Sequence, residues 1–447
     1  MNRFFSPLAL VAMMLTFAAC SASTPMTAEP PQDKPEEPVA DPTGDPMTSG
    51  DETLCQDGKA GEFDCSNVDL LAHMPLDMFD SETTRGNDIW GWTDETNGDE
   101  YALVGLDNGT AFVDISTPTA PVYVGFLPTH TTATTWRDIK TYADHAYIVS
   151  EAKDHGIQVF DLTRLRNHTG APQQFTADEV YEGVSNVHNI VIDEESGFAY
   201  AVGATSVGDD LPAECSAPGF HAVDIRDPKN PTFAGCFSDA ERDASPRSAP
   251  GYTHDAQCLV YDGPDADYVG RQICIASNED VVTIFDVEDK ANVKVVSQAA
   301  YPRDAYTHQG WLTEDHRYFL ANDELDEMNG LVSTQRTLVF DFMDLDAPEF
   351  AFAHDSGITV IDHNLYMVGN LSYQSNYEAG LRIVDVSEIA EGRLKEVGYF
   401  DTFPEGQEIR FGGQWSNFPY FGSGTVVAND GANGLFVLRP AMNALMP

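Results

Sequence analysis

From about residue 86 to the end, apolar residues come in short β-branched and aromatic bursts. Gly, Asn, Asp and Pro break them up, and no helical period is sustained for long. One burst recurs with an acidic end: TAFVD (Asp114), IQVFD (Asp161), FHAVD (Asp224), VTIFD (Asp286), TLVFD (Asp341) and LRIVD (Asp385), at intervals of 47, 63, 62, 55 and 44 residues. GLFVLRP near the C-terminus is a seventh copy without the Asp. Each copy follows a second strand pattern (YALVGL, AYIVSE, FAYAVG, QICIAS, RYFLAN, LYMVGN, TVVAND) and, before that, a third (DIWGW, DIKTY, HNIVI, AQCLVY, QGWL, GITVI, GQWSNF). A fourth often comes after it, as in PVYVGFL, PTFAGCF, VKVVSQ and LKEVGYF.

A four-stranded antiparallel unit repeated seven times predicts an all-β, seven-bladed β-propeller, in which stacking the sheets around an axis covers both apolar faces of each. The last unit lacks its fourth strand. VDLLAHMPLDMF (Val68–Phe79) has the pattern of one, and is expected to pair with GLFVLRP and fasten the ring. The Asp closing each third strand suits a turn, where its carboxylate accepts backbone N–H groups. WTDETNGDEY (Trp92–Tyr101) carries alternating oxygen side chains but lacks the closing Glu spacing of an EF-hand, so a hairpin turn is expected there.

The propeller pattern leaves the N-terminus unexplained. Arg3 precedes an apolar run from Leu8 to Ala19, too short to span a bilayer comfortably and shaped like a signal sequence. Its end, LTFAAC, resembles a bacterial lipobox with Cys20 as the lipidated residue, although Phe17 stands where that motif usually has Leu. A Pro- and acid-rich stretch follows that cannot bury enough surface to fold. The expected organisation is a signal peptide over 1–19, an extended tether over 20–54 and the propeller over 55–447. The chain is then an exported protein held to a membrane by its N-terminal lipid alone, facing the periplasm or the cell exterior.

Six further cysteines, Cys55, Cys65, Cys215, Cys236, Cys258 and Cys274, are an even number in an exported chain and predict disulfides. Of the fifteen possible pairings, nearest neighbours are expected: Cys55–Cys65, Cys215–Cys236 and Cys258–Cys274. None has CxxC spacing, which argues against a structural zinc site. With 24 Lys+Arg against 72 Asp+Glu, the formal charge of −48 excludes nucleic acid and anionic lipid surfaces as partners.

LRIVD at Leu381–Asp385 resembles the LVIVD repeat. The longer phrases WRDIKTYADHAYIVSEAKDHGIQVFDLTRLR and THQGWLTEDHRYFLANDE resemble the choice-of-anchor B family of exported bacterial proteins. The resemblance implies a propeller-type domain with an N-terminal anchor, a lipoprotein signal being one option. It brings no reaction and no catalytic residues.

Aligning the first strands places Asp88, Asp138, Asn189, Asp255, Gln309 and Gln414 in a ring around the channel, with Asp355 or Ser356 completing it in blade six. The preceding column reads Asn87, Arg137, His188, His254, His308, His354 and Gly413. Facing loops should bring Glu151, Glu279, Asp323 and Glu324 close by, with Arg137 and Glu151 a candidate ion pair. Trp136, Trp311 and Trp415 are candidates for the rim. Such a ring can simply satisfy strand-end N–H groups and hold water. It can also hold a divalent metal through His188, His254 and His308 with Asp138, Asp255 or Asp323: Zn, Mn or Fe with histidine present, Ca for an oxygen-only subset. His316, in a hairpin turn, is expected to be solvated.

Two functions fit. One is a tethered binding module whose top face and channel take a protein, a glycan or a small molecule. The other is a metal-dependent hydrolase or lyase at the channel mouth. No GxSxG, P-loop or GxGxxG stands in a usable context, which leaves the first ahead.

Overall fold

The computed structural model describes residues 52–80, 82–239 and 249–441. The expected signal peptide, Cys20 and the tether as far as residue 51 lie outside the described residues. The rest forms a seven-bladed β-propeller of four-stranded antiparallel blades, with only short 3₁₀ turns besides strands and loops. The innermost strands are Gly86–Asp94, Arg137–Tyr142, Asn189–Asp193, Asp255–Val260, Thr307–Leu312, Leu365–Val368 and Gln414–Phe418. From each, the chain zigzags outward through the blade.

The ring closes as the sequence predicts. Val68–Met74 pairs antiparallel with Gly434–Pro440, from Val68 opposite Pro440 to Met74 opposite Leu435. The segment before it, Phe63–Ser66, pairs instead with the outer strand of blade six, Lys395–Phe400. The chain start therefore clasps two blades. The Cys55–Cys65 disulfide ties down the hairpin that leads into it, and Cys215–Cys236 and Cys258–Cys274 form the other two bridges.

Both faces of each blade are apolar because both are covered. Between blades one and two, Phe112 stacks on Phe160 at 4.6 Å, with Phe175 edge-on. Phe220, Phe237 and Phe285 do the same between blades three and four. Burying such rings contributes roughly 2–3 kcal/mol each. Each acidic strand end caps its own turn: Asp114, Asp161, Asp224, Asp286, Asp341 and Asp385 all accept the N–H of the residue two positions on, at 2.8–3.3 Å. Asp94 does likewise for Thr96 in the Trp92–Tyr101 hairpin, and it also pairs with Arg166.

Polar side chains stitch the blades together at the hub. Innermost strands of neighbouring blades belong to different sheets, so their facing backbone groups need other partners. Asp88 accepts from Ile139 N (3.1 Å) and Asp138 from Ile190 N (2.7 Å). Asn189 Nδ2 donates to His254 O, and Gln257 Oε1 accepts from Leu312 N. Gln309 does both, accepting from Leu365 N (2.9 Å) and donating to Leu365 O (3.0 Å). Asn417 Nδ2 reaches Tyr373 O, and Asn429 Nδ2 reaches Asn87 O and Gly105 O, which completes the circle.

Blade six departs from the sequence reading by one strand. GITVI is a loop, and LYMV is the innermost strand rather than the second; a two-residue turn at Gly369 and Asn370 joins it to Leu371–Ser375. His354 and Asp355 lie in Glu349–Asp355, the outer strand of blade five, whose side chains alternate between half-buried and exposed. The ring position assigned to Asp355 or Ser356 is taken by Asn364.

Replacing Gln309 by Leu orphans a buried N–H and a buried C=O of Leu365. We expect a loss of about 2–4 kcal/mol, seen as a lower urea midpoint at unchanged slope.

Candidate functional site

At one end of the channel, loops and strand starts enclose a small polar pocket of about 20 Å³, room for an ion and about one water. Its walls include Trp136, Arg137, His188, His254, His308, His363 and Trp415. Four consecutive blades each contribute a histidine just before or at the start of the innermost strand. Their rings follow one another at centroid spacings of 4.2 Å (His188 to His254), 4.3 Å (His254 to His308) and 4.3 Å (His308 to His363).

His188, His254 and His308 thus meet, although 120 residues separate the first from the last. Sequence reasoning missed His363 because the blade-six strands were read one step out of place. The signal was present: DHN at 362–364 aligns with the THD and THQ that open blades four and five.

Three of the four imidazoles, His188, His254 and His363, are oriented by a hydrogen bond from Nδ1. The Nδ1–H of His254 donates to His308 O (2.9 Å), and that of His363 donates to Trp415 O (2.5 Å). In both, Nε2 is left as the lone-pair nitrogen. His188 Nδ1 lies 2.6 Å from Glu151 Oε1. His308 Nε2 lies 3.7 Å from Glu324 Oε1, and His363 Nε2 lies 3.7 Å from the same oxygen. Tyr377 Oη donates to Glu324 Oε1 at 2.6 Å.

Burial sets the protonation states. It holds His254 and His308, with mutual repulsion among the rings adding to the effect, well below the usual imidazole range; burial takes His363 down to about 3. All three are neutral at pH 7. His188 is also penalised by burial, but the Glu151 carboxylate outweighs that and raises it. Burial lifts Glu324 to about 7.

The carboxylates expected to accompany the histidines sit elsewhere. Asp323 faces away from the mouth: its oxygens accept from Ala305 N, Tyr306 N and Tyr301 Oη, and it serves as a loop anchor. Asp138 lies deeper, bonded to Lys140 (2.6 Å) and Ile190 N; Lys140 lies over the Trp90 ring at 4.4 Å. Asp255 accepts from Ala256 N, and burial together with Asp138 raises it to about 7. Of the ring, Asp88 and Asn189 line the pocket. Gln309 is spent on Leu365. Gln414 donates to Ser375 Oγ and leaves the wall to Trp415.

Arg137 does not pair with Glu151. It is buried, donates to Leu106 O and approaches His155 Nε2 at 3.4 Å. Trp311 packs on Tyr366, away from the rim. His316 is half-buried, accepting from Asp262 N.

Behind Glu324, Asp326, Glu327 and Asp362 are buried together. Arg336 pairs with Asp326 and Gln335 donates to Asp362, while both Glu327 oxygens have no hydrogen-bond partner among the described residues. Burial, reinforced by Asp326, raises the Glu327 carboxyl to about 10, so it is protonated at neutral pH.

The LVIVD repeat family's sequence profile matches residues 98–129, which hold the outer three strands of blade one. No curated protein matches the chain. Among solved structures, a protein from Lactobacillus plantarum is similar at a TM-score of 0.50 and 16% identity, over 78% of this chain and 89% of that one. The β-propeller domain of Cps50 (Swd1) from Myceliophteria thermophila aligns at a TM-score of 0.47 and 11% identity, over 80% and 96%. The first likeness bears on fold alone.

Because folded Glu327 keeps a proton that the unfolded chain releases above about pH 4.5, its contribution to stability falls as pH rises from there towards 10. Glu327→Gln should therefore flatten the decline in unfolding free energy between pH 5 and 9 and raise the melting temperature most at pH 9. Denaturant curves at pH 5, 7 and 9 measure this.

Proposed function

We propose that this protein is an exported, lipid-anchored binding module of the choice-of-anchor B type, which presents the histidine-lined face of its propeller to a partner outside the cytoplasm. The observation that carries the reading is the convergence of His188, His254, His308, His363, Trp136 and Trp415 from separate blades on one small polar mouth. Most of the hub's stitching is done by amides and carboxylates such as Asp88, Asp138 and Gln309. His254 and His363 each add one inter-blade bond through Nδ1, which leaves their Nε2 atoms and the faces of the indoles available for recognition.

Several features support the cellular setting. Three disulfides fit an oxidising compartment. The LVIVD match falls in the same propeller that carries the phrases resembling the choice-of-anchor B family. The LTFAAC end of the apolar leader supports lipidation at Cys20 and a tether over 20–54. The cavity admits an ion or a single small group, so a larger partner, whether protein, glycan or small molecule, docks over the mouth rather than inside it.

The second reading, a metal-dependent hydrolase or lyase, is favoured by one observation: two histidine Nε2 atoms and a carboxylate face one another at the mouth. It requires in addition a coordination position open to substrate.

Cys20→Ala tests the anchor. In a bacterial host that processes lipoproteins, the parent protein should take up radiolabelled palmitate and sediment with membranes, and the variant should be unlabelled and soluble. An unlabelled or cytoplasmic parent protein would remove the tethered-module reading.

A further inference from the structure

The distance between Glu324 and its histidine neighbours is the feature that hydrogen bonding leaves unexplained. Glu324 Oε1 is 3.7 Å from His308 Nε2 and 3.7 Å from His363 Nε2, too long for a hydrogen bond to either. Two ligand atoms on a tetrahedral ion with bonds of about 2.1 Å lie about 3.4 Å apart. The three donor atoms all fall within 4.8 Å of one another. The observed span is therefore that of donors around an ion, slightly relaxed outward.

We propose that the mouth is a divalent transition-metal site, with His308 Nε2, His363 Nε2 and the Glu324 carboxylate as ligands and the His254 ring beside them.

Four further observations agree. The outer contacts are those that metal ligands use: His363 and His254 fix their tautomer through Nδ1–H to a backbone carbonyl, and Tyr377 orients Glu324. His308 and His363 are buried, and the Nδ1–H bond of His363 leaves its Nε2 lone pair free for a metal. The cavity that His308 and His363 line is ion-sized, and Glu324 meets their Nε2 atoms beside it rather than in its wall. Finally, the Glu324 side chain is only 12% exposed and no Lys or Arg pairs with it among the described residues, so an ion would be its cationic partner. Two imidazoles and one carboxylate select zinc or iron and their neighbours rather than calcium, which takes oxygen ligands. The exposed carboxylate group Asp265, Asp344 and Asp346 has the spacing but neither histidine nor burial, and carries no such claim.

This inference rests on reading the mouth as the binding site, but the two are tested separately: metal content decides this one, palmitate labelling and fractionation the other. Full-length protein, purified without chelator, is analysed for metals. It is then stripped and titrated with Zn²⁺ and, for its visible spectrum, with Co²⁺. About one equivalent of Zn, Fe, Mn or Co is expected, with Co²⁺ bands in the visible. Glu324→Gln and His363→Asn should each weaken uptake at least tenfold, whereas His316→Ala, in an outer turn, should not. Circular dichroism checks the fold, and where a variant is misfolded the parent protein's titration decides. Less than about a tenth of an equivalent bound by the folded parent protein overturns the proposal. So does unchanged affinity in folded Glu324→Gln and His363→Asn.

Discussion

Neighbouring blades of this propeller share no backbone ladder at the hub, and everything else depends on how that gap is bridged. At every blade junction an Asp, Asn or Gln side chain binds the main chain of the neighbouring blade, from Asp88 on Ile139 round to Asn429 on Asn87, with Asn417 reaching back from blade seven to Tyr373. The phenylalanine layers further out supply most of the favourable burial, but they are non-directional and tolerate sliding. The polar stitches have fixed lengths and fix the rotation of each sheet about the axis. The same constraint explains why Lys140 is tolerated so deep: it neutralises carboxylates that the stitching requires.

Above that layer the side chains are less committed to the hub. The four successive imidazoles occupy it, each delivered by the same step of the repeat; His254 and His363 give one Nδ1–H to the next blade, and His188 is turned by Glu151. Glu324 sits beside Asp323 in sequence, yet the two point opposite ways: Asp323 ties down the loop at Ala305 and Tyr306, and Glu324 is presented to the rings. A strand end thus serves architecture with one residue and the mouth with the next.

Much of the architecture was readable from residue order. Seven strand sets, the N-terminal closing strand, the turn-capping Asp series and the meeting of His188, His254 and His308 all follow from a period that the chain states openly. Two parts did not follow. The blade-six shift arose because the loop GITVI has the composition of a first strand, so LYMV was read as the second and the two-residue Gly369–Asn370 turn as the loop after it. The choice between Asp323 and Glu324, and the diversion of Gln414 to Ser375, depend on side-chain direction, which pattern alone does not encode. His363 was lost with the first error and returns once its strand is placed.

The clasp at the chain start has a bearing on how the molecule is made. Asp69 and its contact Arg439 stand 370 residues apart. A polypeptide made from its N-terminus delivers Val68–Met74 early, and its partner Gly434–Pro440 only about 360 residues later. Throughout that interval an apolar strand waits with an unpaired edge, a standing invitation to pair with the wrong neighbour. The Cys55–Cys65 bridge can form meanwhile from local residues alone, which keeps the waiting segment bent into its final hairpin until the seventh blade arrives.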